Sequence, residues 1–198
     1  PHNEDSYLVQ SPLFCVCDGM GGHAAGEVAS SIAVETIAKT APQSADAARL
    51  AAAVEAANAA VIEAALNGLG KPGMGCTATC AYIENDTLAI AHVGDSRAYL
   101  LHEGTLIRVT RDHSYVEELV DAGEITADEA RVHPNRSVIT RALGSDPAMY
   151  ADHFTLHIEE GDRLILCSDG LSSMIPDSDI ENIATQSSSA QICVDNLV

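Results

Sequence analysis

Asp18-Gly19-Met20-Gly21-Gly22-His23 follows directly on the apolar run Leu13-Phe14-Cys15-Val16-Cys17. A buried strand that runs out on a carboxylate and then on glycines sets that carboxylate at the rim of a sheet. The glycines let a ligand or a second backbone come close. A helical pattern starting at Ala24 aims further free backbone N–H groups at the same place. The arrangement occurs twice more: Val93-Gly94-Asp95-Ser96 follows the apolar run Leu88 to His92, and Ser168-Asp169-Gly170 follows Leu164-Ile165-Leu166-Cys167. One Asp beside one Gly is by default a turn former or a helix cap. Three of them, each at the end of a strand-like run, point to one shared oxygen-rich metal site.

The whole-chain numbers favour a cation there. The 198 residues carry a formal net charge of −19 with only two lysines, so no basic patch exists to meet nucleic acid or an anionic membrane. A phosphorylated ligand would be repelled unless a bound cation reversed the sign locally. The length suits one well-cored domain. Cys15, Cys17, Cys76, Cys80, Cys167 and Cys193 show no C-x-x-C spacing, and most sit in apolar runs. They read as reduced core thiols, which implies a cytoplasmic setting, and no zinc module. No segment approaches 18 consecutive apolar residues and no signal peptide is visible. Because the chain starts at Pro1 without an initiator Met, it is expected to be a piece of something longer.

Periodicity predicts the architecture. Ala25, Val28, Ala29, Ile32, Ala33 and Ile37 make one helical stripe, and Leu50, Val54, Ala57, Val61, Ala65 and Leu69 a second. From Cys76 the period changes. Residues 76–84 and 87–93 read as strands joined at Asn85-Asp86, and Ala98–His102 with Leu106–Val109 as a hairpin around Glu103-Gly104. In 87–93 both alternating faces are apolar, Leu88 and Ile90 on one, Ala89, Ala91 and Val93 on the other, so both must be covered. Hairpins with two-sided burial predict a layered α+β sandwich with helices outside antiparallel sheets. Residues 111–147, with scattered charge, Pro134 and Pro147, read as a surface excursion with short helices. Strands resume at 150–158 and 162–168, and 177–198 reads as helix and loop.

Asn3-Glu4-Asp5, Asp18-Gly19-Met20-Gly21-Gly22-His23, Gly94-Asp95-Ser96-Arg97 and Ser168-Asp169-Gly170-Leu171 stand in an order and spacing that resembles the PP2C-like (PPM) protein serine/threonine phosphatases. Met20, Ala122-Gly123-Glu124-Ile125-Thr126, His133-Pro134 and Thr140-Arg141-Ala142-Leu143-Gly144 look like its bacterial branch. The resemblance spans essentially residues 1–198 as a single domain. It implies a four-layer α-β-β-α sandwich, two antiparallel sheets flanked by helix pairs, with 111–147 as the variable flap. It also implies hydrolysis of phosphoserine and phosphothreonine in proteins with two to three Mn²⁺ or Mg²⁺ ions, by water and without a phosphoenzyme. Asp18 would bridge two ions, the Gly19 carbonyl would bind one and Asp169 the other. Asp95 with Asp169 would bind a third, and Glu4 would hold a water beside them. Substrates would be phosphorylated products of a serine/threonine kinase, and the protein a monomer.

The family's phosphate-contacting Arg would fall just before Pro1, and its last metal-binding Asp past Val198. Asp195-Asn196 lies in a helical pattern and is not assigned. His23, beside the glycines, is a candidate for proton transfer to the leaving serine or a plain helix-entry residue. Asp95 could instead form an Asx-turn, and Asp5 reads as a structural hydrogen bonder. His92 reads as a satisfied core histidine, His113 and His133 as solvated loop residues. Arg97 reads as a structural ion pair, Arg136 and Arg141 as surface salt bridges. Two alternatives stand beside the enzyme: a catalytically silent phosphatase-like module that binds a regulatory partner, and an acidic ion-binding protein, disfavoured because no EF-hand loop is present.

Overall fold

The computed structural model describes residues 3–22 and 24–198. In chain order these form β1 (Asp5–Gln10), β2 (Leu13–Met20), α1 (Ala25–Thr40), α2 (Ala47–Leu66), β3 (Gly75–Cys76), β4 (Ala78–Glu84) and β5 (Thr87–Val93). The hairpin β6 (Arg97–His102) and β7 (Thr105–Arg108) follows, then the short helices α3 (Tyr115–Asp121) and α4 (Ala127–Arg131). The remainder is β8 (Asp152–His157), β9 (Arg163–Cys167), α5 (Asp169–Ser172), α6 (Asp177–Gln186) and α7 (Ala190–Leu197).

One sheet has the order β1-β2-β4-β5-β8 with β3 paired to β2, and the other β7-β6-β9. All neighbours are antiparallel. The turn at Glu103 (φ 49) and Gly104 (φ 78) closes the β6–β7 hairpin in the left-handed region that two-residue loops favour.

The two apolar faces of β5 find separate partners. Leu88 and Ile90 join Ala81, Ala98, Phe154, Leu156, Leu164 and Leu166 in the layer between the sheets. Ala89, Ala91 and Val93 face α1 and α2 together with Cys15, Cys17, Cys80 and Val61. Helices α6 and α7 cover the outer side of the second sheet through Ile180, Ala184 and Cys193. The result is a four-layer α-β-β-α sandwich of two antiparallel sheets.

Small residues set the spacing between α1 and β2. A Cβ on Gly19 would lie 2.0 Å from the Gly26 carbonyl oxygen, and one on Gly26 would lie 2.7 Å from the Gly19 carbonyl carbon. The helix therefore rests on the strand backbone at the point where the metal-candidate loop begins. Helix α2 starts at Asp46, whose side chain accepts from the Arg49 N–H at 3.1 Å.

The structure departs from the sequence expectations in several elements. The second helical stripe stops short of Leu69, since α2 ends at Leu66. The strand does not run out at Cys17: it continues through Asp18 to Met20, because Gly19 and Met20 pair with Cys76 and Gly75 of β3. Strand β1 was not foreseen. Its Ser-Tyr-Leu-Val-Gln run lacks a clean alternation, and Tyr7 and Val9 are 74 % and 70 % exposed, as suits an edge strand.

Candidate metal centre

The even positions of β2 (Phe14, Val16 and Asp18) share the side facing the second sheet, since Phe14 stands opposite Ala81 of the inter-sheet layer. Asp18 thus sits where that apolar layer ends. Asp95 arrives there from the crossover between β5 in one sheet and β6 in the other. Asp169 arrives as the first residue of α5, directly after β9. Asp95 is therefore carried by a turn and Asp169 by a helix start, not by strand ends. One carboxylate oxygen from each of Asp18, Asp95 and Asp169 lies within 4.8 Å of the others.

Asp5 belongs to the same cluster. It stands opposite Asp18 in the β1–β2 register, and its Oδ2 accepts from Ser168 Oγ at 2.9 Å, tying the first strand to the start of α5. Thr77 supports the other side. Its Oγ1 accepts from the Asp18 N–H at 3.0 Å and lies 2.7 Å from Ser96 Oγ, linking β2 to the turn that carries Asp95.

Like charges this close disfavour their own ionisation. Burial, then Asp169 and Asp5, pushes the Asp18 carboxyl up to about 9. Burial, then the negative charges of Asp169 and Asp112, pushes Asp95 up to about 7. A divalent cation among these oxygens would replace the protons that the bare carboxylates otherwise need. An all-oxygen donor set is what hard Mg²⁺ or Mn²⁺ accepts. The residues fit the group.

Glu4 is not among the converging carboxylates. Its carbonyl accepts from the Gly19 N–H at 3.2 Å and from Ser30 Oγ at 2.7 Å, and its carboxyl carbon packs 2.8 Å from where a Gly26 Cβ would stand. The backbone of Gly19 is thereby held directly beside Asp18. His23 lies outside the described residues.

His113 corrects the sequence expectation of a solvated loop residue, being only 3 % exposed. Its Nδ1 accepts from the Gly94 N–H at 2.9 Å, so Nε2 carries the proton and donates to Asp152 Oδ2 at 2.7 Å. Arg141 Nη1 donates to the other oxygen of Asp152 at 2.8 Å, and its guanidinium lies 4.2 Å from the Tyr150 ring centroid. Burial opposes ionisation of Asp152, yet the Arg141 and His113 hydrogen bonds hold its carboxyl below the usual range. The chain Gly94–His113–Asp152–Arg141 fixes the turn bearing Asp95. Only the polar run Arg111-Asp112-His113 straight after β7 could have hinted at it.

His92 is a satisfied core histidine as expected, accepting at Nδ1 from Thr79 Oγ1 (2.9 Å) and donating from Nε2 to the Arg111 carbonyl (3.0 Å). Arg97 makes the expected ion pair, donating from Nε (3.0 Å) and Nη2 (2.8 Å) to Asp112 and from Nη1 (2.9 Å) to Tyr99 Oη. Tyr99 in turn donates to Asp177 Oδ1 at 2.8 Å.

A cleft of about 450 Å³ opens from Asp95 and Asp169 toward α3 and α4. Of the chain's eight arginines, Arg97, Arg108, Arg131 and Arg136 line it, beside the carboxylates Asp95, Asp112, Glu117, Asp169 and Asp177. Arg108 is paired with Glu117 at 2.8 Å, while Arg131 and Arg136 are exposed at the rim. A second group with comparable reach, His102, Glu103 and Glu159, lies at the hairpin turn of β6 and β7, away from this cleft. No helix among the described residues is long and apolar enough to cross a membrane.

The family described as protein phosphatase 2C matches residues 1–198. The serine/threonine phosphatase stp of Listeria welshimeri is 38 % identical over 194 residues, covering 92 % of this chain and 77 % of that protein. The serine/threonine protein phosphatase PstP of Mycobacterium tuberculosis is 42 % identical over 185 residues, covering 90 % of this chain but only 35 % of that longer protein. The crystal structure of M. tuberculosis PstP superposes with a TM-score of 0.92 at 39 % identity, covering 99 % of this chain and 84 % of that one. The PstP catalytic domain in complex with two manganese ions superposes with a TM-score of 0.89 at 37 % identity, covering 99 % and 83 %.

Proposed function

Since the chain belongs to the protein phosphatase 2C family, we propose that its clustered aspartates are the metal cradle of a serine/threonine protein phosphatase. The reaction is metal-dependent dephosphorylation of proteins, and the silent-module alternative gives way to it. The observation that carries the assignment of residues is the convergence of Asp18, Asp95 and Asp169 from segments far apart in sequence.

Asp18 would lie between two ions with the Gly19 carbonyl beside it, Asp169 would hold the second, and Asp95 with Asp169 a third. Divalent ions there supply Lewis-acid polarisation of phosphoryl oxygens and lower the pKa of water toward neutrality. The chain's own contribution is placement. The β1–β2 register and Ser168 hold Asp5 against the cluster, Thr77 and Ser96 lock Asp18 to the Asp95 turn, and Glu4 orders the approach to Gly19. Arg131 and Arg136 at the cleft rim attract the phosphorylated segment and raise its local concentration without touching the chemistry. We place no phosphoenzyme on the path: the nucleophile is water, and the side chains at the cluster serve to hold the ions.

We treat residues 1–198 as one phosphatase domain with 111–147 as its flap. Substrates are phosphorylated proteins made by a serine/threonine kinase. With its acidic surface the protein takes no nucleic acid and works as a monomer. A cytoplasmic setting is the reading that six reduced thiols support.

The test is turnover of a phosphothreonine peptide after chelation, with Mn²⁺ added back. Activity is expected to vanish and return in wild type, and to stay absent in Asp169→Asn. Turnover indifferent to chelation would overturn the assignment.

A further inference from the structure

Four of the six thiols lie in one buried row behind the metal centre, on the side of the first sheet that faces α1 and α2. Cys15 Sγ is 2.9 Å from Cys80 Sγ and 3.7 Å from Cys17 Sγ, and Cys76 donates toward the Ala29 carbonyl at 3.8 Å. Cys15 and Cys80 are directly opposed in the antiparallel β2–β4 register.

The ladder fixes which kind of pair they are. Backbone hydrogen bonds run from Ile83 N–H to the Pro12 carbonyl (3.0 Å) and from Thr77 N–H to the Asp18 carbonyl (2.9 Å), on either side of the Cys15–Cys80 rung. Hydrogen-bonded and non-hydrogen-bonded rungs alternate along an antiparallel ladder, so Cys15–Cys80 is of the second kind, with Cα atoms about 4.5 Å apart. That spacing lies inside the window a disulfide accepts, and both side chains project to the same face. Cys17 is a poorer partner for Cys15. It lies two positions along the same extended strand, where Cα atoms are about 6.6 Å apart and near the limit.

We propose that Cys15 and Cys80 form a reversible intrachain disulfide on reaction with a peroxide, making this rung a modification site in the core behind Asp18. One sulfur attacks a peroxide oxygen, the O–O bond breaks, and a sulfenic acid and one water result. The second sulfur then displaces the hydroxyl as water, so that two thiols and one hydrogen peroxide give one S–S bond and two waters. A small dithiol reverses the reaction by exchange and becomes a disulfide itself. Because Cys15 is 1 % and Cys80 0 % exposed, the oxidation waits on local opening and is slow. The bond ties together positions 65 residues apart, and the thermal midpoint should rise by roughly 10 °C.

The experiment treats the Mn²⁺-loaded protein with hydrogen peroxide under native conditions, then alkylates in denaturant and counts free thiols by mass. Wild type is expected to fall from six thiols to four and to return to six with dithiothreitol. Cys17→Ala should lose a pair in the same way, while Cys15→Ala and Cys80→Ala should lose none. Fragment spectra of the unreduced wild type must place the cross-link between residues 15 and 80, so the outcome does not depend on how the variants fold. Six thiols surviving a large peroxide excess, a link through Cys17 or Cys76, or sulfinic acid in place of a cross-link would each overturn the proposal.

Discussion

Replacing Asp18 by Asn should remove activity and at the same time stabilise the metal-free protein. In the folded chain burial and the neighbouring Asp169 and Asp5 move the Asp18 carboxyl from 3.8 to about 9. A folded-state pKa raised above the unfolded value means that the group's contribution to stability is complete below pH 4. It is lost progressively as pH rises toward 9. At pH 7.5 a fully dry carboxyl would cost about 5 kcal/mol, at 1.36 kcal/mol per pKa unit. Asp18 is only half-buried, so screening reduces this to roughly 2 kcal/mol. Asn keeps the shape and cannot ionise. Urea unfolding in chelator at pH 7.5 should therefore show Asp18→Asn more stable by about 2 kcal/mol, with the gap closing near pH 4. Added Mn²⁺ should raise wild-type stability and leave the variant nearly unchanged, because only a ligand that binds the folded state stabilises it. The reasoning fails if the variant is less stable than wild type in chelator, or if it keeps Mn²⁺-stimulated turnover.

Gly26→Ala puts a Cβ 2.7 Å from the Gly19 and Met20 backbones, so α1 must lift off β2. A loss of about 1–3 kcal/mol in urea unfolding, with reduced turnover, is expected. His92 is pushed down to about 4 by burial and by His113 beside it, so its contribution is complete above pH 6.5 and is lost as pH falls through 4. Unfolding curves from pH 7 to 4 should show a limb worth about 3 kcal/mol in wild type that flattens in His92→Gln, and an unchanged limb would refute the assignment. Arg97→Ala strips the partner from Asp112, which is 6 % exposed, and should cost about 3 kcal/mol by urea unfolding. Arg97→Lys should recover only part of that loss, since a lysine cannot reproduce the two-nitrogen contact.

Local periodicity was enough for most of the architecture. The 2-residue alternation of Thr87–Val93, the turns at Asn85-Asp86 and Glu103-Gly104, and the stripes of Ala25–Ile37 and Leu50–Val61 each report a side chain's face relative to its own backbone, and that is a short-range property. The Asp-Gly motifs marked, for the same reason, three carboxylates that the fold brings together. What they could not carry is distance across the chain. Asp5 meets Ser168 from 163 positions away. His113 is buried because Gly94 and Asp152 close on it. Strand β1 exists because β2 offers it an edge. Such contacts depend on how strands register and how sheets stack, and these are settled only when the whole core packs. The sequence by itself determined that acids would stand beside glycines at the ends of buried segments. Tertiary structure alone decided that they face one another within 4.8 Å, where mutual repulsion makes a divalent cation the favoured companion.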